Sequence, residues 1–154
     1  MQSRQLDLSD FDAVIREVER LHHDGYRPVG KWNLAQVCDH LSYFMEGSLD
    51  GATYKVPWLF RVLFGRLVFN RIMKTGAMKA NVPTPQKPLP EPGGDETAAV
   101  ERLTGLIERL KKTTGELHAS PFFGRLTNEE WRRLHLIHSS HHLGYSLPVG
   151  TENV

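Results

Sequence analysis

Apolar residues recur at three- and four-residue intervals through most of this chain, and each run is bounded by a capping residue, a glycine or a proline. That period fits helices and excludes half-buried strands, which need alternation. Five helical segments follow from it. The first comes after Ser9 and runs to about His23, with Phe11, Val14, Ile15, Val18 and Leu21 on one side. Gly25 and Pro28 then break the chain. The second opens where Asn33 and Gln36 fit a capping box, continues through Leu34, Val37, Cys38, Leu41, Phe44 and Met45, and stops near Gly47 or Gly51. The third spans Pro57 to Met73, with Pro57 suited to a first turn and Gly76 just past the end.

Between Thr75 and Gly94, prolines at 83, 85, 88, 90 and 92 forbid a helix and predict an extended, superficial linker. Asp95 can cap the fourth helix, which carries Val100, Leu103, Leu106, Ile107 and Leu110. Pro121 and Gly124 mark a turn. The fifth helix opens on a second capping box, Thr127 with Glu130, and runs to about Ser146 before Pro148 stops it. No strand pattern is evident. The expectation is an all-α chain, a single helical domain over residues 1–154 with the linker of 75–94 inside it.

Composition narrows the function classes. Lys plus Arg number 19 and Asp plus Glu 18, so no net field favours nucleic acid as a partner. The single cysteine, Cys38, excludes an intrachain disulfide and a thiolate zinc site. The opening MQSRQLDLSDFD has no apolar run and does not read as a secretory signal, so a cytoplasmic setting is expected. Pro57 to Met73, PWLFRVLFGRLVFNRIM, approaches the length of a short membrane span. Its Arg61, Arg66 and Arg71 fall about 140° apart on a helical wheel, which places a cation on every face. Packing on the domain or on a partner copy in a homodimer is therefore expected, and no membrane, with membrane attachment kept as the alternative.

The histidines carry the chemistry. On a helical wheel His135, His138, His142 and Tyr145 all fall within about 40° of Trp131, and the three histidines share the inward stripe with Leu134. Imidazoles on a core-facing stripe need partners in a dry place, and a divalent ion satisfies them, because neutral imidazole is a common ligand for zinc, nickel and iron. Residues four apart rise about 6 Å and converge on one ion, whereas seven apart rise about 10.5 Å and do not. The fifth helix thus offers His135 with His138 or His138 with His142, and spacing alone does not choose. A third ligand must come from elsewhere. His40 is the best candidate, mid-helix beside Val37, Leu41 and Phe44, whereas Cys38 and Asp39 point away. His22, His23 and His118 are expected in solvent and His141 at the rim.

The segment WNLAQVCDHLSYF, Trp32 to Phe44, resembles the second-helix signature of the DinB/YfiT-like superfamily of four-helix-bundle metalloenzymes. FFGRLTNEEWRRLHLIHSSHHLGYSLP, Phe122 to Pro148, resembles that superfamily's last helix, closest to a branch known only as a domain of unknown function. The resemblance covers nearly the whole chain. It implies a four-helix bundle with an additional short helix, and a metal held by His40, His138 and His142, with His135 left as a neighbour. It also implies a metal-dependent thiol S-transferase whose small-molecule substrate is a low-molecular-weight thiol of the bacillithiol or mycothiol kind. In that reading His135 is a proton acceptor, and Trp131, Tyr43 and Tyr145 line the pocket on wheel geometry. Two competing readings are a non-catalytic helical dimer or partner-binding module, whose metal is structural or absent, and a metal-dependent hydrolase.

Overall fold

The capping boxes read from the sequence both form. In the computed structural model, which describes residues 3–79 and 93–149, Asn33 accepts from the Gln36 amide at 2.9 Å and Gln36 answers from its side chain at 3.1 Å. This starts helix α2, Leu34–Asp50, which ends at Gly51 with φ of 92°. Thr127 and Glu130 make the equivalent exchange at 3.1 and 2.9 Å and start α6, Asn128–Leu143. Satisfying the first-turn amides in this way defines where each helix begins, and so the angular position of every histidine on it.

Helix α1, Phe11–Asp24, is capped by Asp10: the carboxylate accepts from the Ala13 amide at 2.7 Å, and Ser9 donates to that carboxylate. The third segment is less regular than its periodicity predicts. It comprises α3, Trp58–Phe60, a π-helical turn over Arg61–Gly65, and α4, Arg66–Thr75, closed by Gly76 in the left-handed region. At Gly65 a β-carbon would collide with the carbonyl oxygen of Phe122, so only glycine admits that approach. Helix α5, Glu96–Lys112, starts at Asp95 as expected. The proline run 80–92 lies outside the described residues.

Helices α1 and α2 each pack on both α5 and α6, so these four enclose one apolar core. Val14, Leu34, Leu41, Leu103, Ile107 and Leu143 are its best-buried members. Helix α4 lies against the outside of α6, where Phe69 and Ile72 form a second cluster with Trp131, Leu134 and Ile137. The fold is mostly helical.

Two short strands correct the expectation of none. Strand β1, Tyr26–Pro28, pairs antiparallel with β2, Ser146–Pro148. Each has three residues and a proline, too short to show alternation, and their pairing is non-local. The same pairing explains why α6 stops at Leu143 rather than near Ser146, whose backbone is committed to β2. No helix among the described residues is long and apolar enough to cross a membrane.

Candidate metal centre

His40 and His138 meet between α2 and α6. Their Nε2 atoms lie 3.2 Å apart, and with His142 they form a group whose ligand atoms are all within 4.8 Å of one another. The ring centroids of the three pairs lie 4.5 to 5.0 Å apart, each pair edge to face. His138 is buried, whereas His40 and His142 are half-buried and open the cluster to one side.

The donor set fits a divalent ion. Nitrogens bound tetrahedrally at about 2.0–2.1 Å sit about 3.3 Å from one another. The His40–His138 separation is close to this, and the whole group lies within 4.8 Å, so His142 has to draw in for all three to share one ion. The rings are also in the form a metal needs. Burial, reinforced by the neighbouring imidazole His141, pushes His40 down to about 4. Burial, His40 and His141 push His142 down to about 2. Burial and four neighbouring histidines hold His138 well below the usual imidazole range. All three are therefore neutral at pH 7, with a lone pair to offer.

The packing around the rings was not legible in the histidine spacing. Trp32 stacks on His142 at 5.4 Å with an interplanar angle of 17°, and its ring also lies 4.9 Å from His40. Phe44 presses its ring against His138 at 4.6 Å and His40 at 5.2 Å. Phe44 lies four residues after His40, so helical spacing could have found it. Trp32 precedes the cap of α2, where no period applies.

The other residues singled out from sequence take separate places. His135 lies outside the cluster, its Nε2 3.0 Å from the Ser48 hydroxyl and its ring stacked on Trp131 at 5.1 Å, and burial pushes it to about 3. Tyr43 and Trp131 line a small recess with Phe44, Tyr54, Phe123 and Leu134, and Phe44 is the wall this recess shares with the histidines. Trp131 Nε1 donates to the His118 carbonyl at 3.0 Å. Tyr145 is elsewhere, edge-on to His141 at 5.6 Å. His23 and His118 are exposed as expected, while His22 is half-buried against Glu96 at 2.8 Å. Cys38 is in the core, where burial pushes its thiol far up, so it is neither ligand nor nucleophile.

No carboxylate close in sequence to the cluster is engaged with it. Asp39 and Glu46 pair with Arg102, Glu129 pairs with Arg132, and Glu130 caps α6 and pairs with Arg66.

The depressed histidines set a pH window. Below about 6.5, the ordinary imidazole value, the unfolded chain takes up protons that the folded rings refuse. Without added metal, folding stability is therefore expected to be level from pH 8 to 7 and to fall between about 6.5 and 4, the folded value of His40. Urea midpoints measured across that range check this; a midpoint that rises on acidification would contradict neutral, buried rings.

These features define a helical protein with three buried or half-buried imidazoles converging between two helices, a group that can hold a metal ion. Over residues 1–148 the chain matches the sequence model of a family described as a protein of unknown function, DUF1569, and it belongs to that family. No curated protein and no solved structure matches it.

Proposed function

We propose that this protein is a divalent-metal-dependent enzyme of the thiol S-transferase type, within the DinB/YfiT-like superfamily. The convergence of His40, His138 and His142 carries the proposal, because three neutral imidazoles leave a divalent ion its full charge and an open position. Zinc, nickel and iron all suit such ligands. When bound, the ion would supply the field that deprotonates a coordinated thiol, raising the fraction of nucleophilic thiolate at neutral pH.

The chain's own residues would do the rest. His138 forms the floor, and His40 and His142 present the open side to solvent. Trp32 and Phe44 brace the rings so that the three nitrogens keep one geometry. As the thiolate forms the new sulfur–carbon bond, the electrophile's bond to its leaving group breaks, and the proton already given up by the thiol must be carried to that group or to solvent. His135, pushed to about 3 by burial and held by Ser48, is a poor acceptor at neutral pH. His141, half-buried with its ring 4.9 Å from His142, is also held below the ordinary imidazole range by burial, so we assign proton exchange to solvent at the open side of the cluster.

A second reading has one observation in its favour: the His40–His138 separation of 3.2 Å is also that of a direct hydrogen bond, as in a core that holds no ion. One experiment separates the readings. Protein purified without a histidine tag is analysed for metals, then assayed for consumption of a low-molecular-weight thiol with an electrophile, with and without chelator. Ester and amide hydrolysis are run in parallel. The proposal expects about one metal per chain and thiol conjugation that chelation abolishes. Metal-free protein that takes up none of zinc, nickel or iron would end it, and chelator-sensitive hydrolysis alone would move the reaction to water as nucleophile.

A further inference from the structure

Of the large apolar side chains that are exposed among the described residues, all but Val149 lie between Trp58 and Val68. Leu59, Leu63 and Leu67, and beside them Phe60, Phe64 and Val68, make two rows of solvent-exposed apolar side chains along this segment. All six are between 44 % and 70 % exposed, and Trp58 at the start is 67 % exposed. The Phe60 and Phe64 rings lie 5.4 Å apart, in keeping with a shared row. The opposite side, Gly65, Phe69 and Ile72, is the one buried, with Phe69 and Ile72 packed in the cluster on α6. An apolar face this continuous marks a contact surface rather than a scatter of surface residues.

Its charge is one-sided. Lys55, Arg61, Arg66, Arg71, Lys74 and Lys79 accompany these rows, and no aspartate or glutamate occurs between Gly51 and Lys79. Arg66 meets Glu130 at 3.5 Å, while Arg61 and Arg71 have no ion-pair partner among the described residues. A second copy seated on this face would bring these arginines together with no carboxylate in the segment to answer them. A surface of anionic headgroups over hydrocarbon answers both features at once.

We propose that the Trp58–Val68 face docks on an anionic lipid surface. The leucine and phenylalanine rows enter the headgroup boundary, while the stems of Arg61 and Arg71 run along them and their guanidinium ends reach the phosphates. Arg66 stays over Phe69 and against Glu130. The segment lies on the bilayer and does not cross it. A cation on every face presupposes one uninterrupted α-helix; the π turn at Arg61–Gly65 breaks that progression, and long side chains can snorkel past the apolar rows.

The test uses the full chain and vesicles of phosphatidylcholine, either alone or with about one third phosphatidylglycerol. Sedimentation with the anionic vesicles is expected, with little on the neutral ones and loss of binding as salt rises from about 0.1 M to several times that. A blue shift of tryptophan emission should accompany binding and disappear in Trp58→Phe, since Trp131 is already buried and Trp32 is packed against His40 and His142. Arg61→Gln with Arg71→Gln should weaken binding about thirtyfold, and Leu63→Gln with Leu67→Gln by tenfold or more. Circular dichroism checks that each variant keeps its helices, and should one unfold, the lipid and salt dependence of the unaltered protein decides. Equal or absent binding to the two vesicle types would overturn the proposal. So would a dimer in light scattering that Leu63→Gln with Leu67→Gln reduces to a monomer.

Discussion

Replacing His142 with alanine is expected to weaken metal binding by about a hundredfold or more, since loss of outer partners alone costs a site about 10–100-fold. The remaining pair, His40 and His138, keep their 3.2 Å separation but supply only two of the three nitrogens. His142 is the residue to choose because it is half-buried at the open side, so its truncation leaves no cavity in the main core. Titration calorimetry with zinc, before and after the substitution, gives the affinity, and circular dichroism confirms that α6 persists. Unchanged affinity would mean that the ion binds elsewhere. A variant that unfolds once metal is chelated, while the unaltered protein does not, would point to a structural ion.

Leu103→Ala is expected to cost about 2–5 kcal/mol of folding stability, the usual range for truncating a fully enclosed leucine. Leu103 is 0 % exposed on α5, which touches both α1 and α2. The same change at Leu67, 70 % exposed, is expected to stay within about 0.5 kcal/mol. Urea denaturation of both variants measures the contrast. Comparable losses at the two positions would mean that the outer face of the third segment is covered in the folded protein and supports the core. Metal stoichiometry of folded Leu103→Ala should be unchanged, because α5 supplies no ligand.

Both predictions rest on features that differ in how far they could be read in advance. The starts of α2 and α6 were legible because a capping box is a local bargain between residues three apart: Asn33 with Gln36 and Thr127 with Glu130 need nothing from the rest of the chain. The stripe of His135, His138 and His142 was legible for the same reason, since helical geometry turns sequence spacing into direction. Which pair on α6 would join His40 was not legible in the spacing, and only the family resemblance pointed to His138 with His142. His135 and His142 both point inward, and what separates them is the neighbour each meets: Ser48 and Trp131 for one, Trp32 and His40 for the other.

The strand pair and the π turn show the other limit. Tyr26–Pro28 and Ser146–Pro148 form strands because each is near the other, not through any preference of three residues containing a proline. The turn at Arg61–Gly65 sits where the Phe122 carbonyl approaches Gly65, a contact between distant parts of the chain. Helix existence, the starts of α2 and α6 and the inward direction of His40 and His138 were set by local period and capping, whose forces act within one or two turns. The meeting of the imidazoles, the aromatic walls around them and the exposure of the leucine rows were decided by packing. They depend on which helices become neighbours, and that is a property of the whole core rather than of any segment in it.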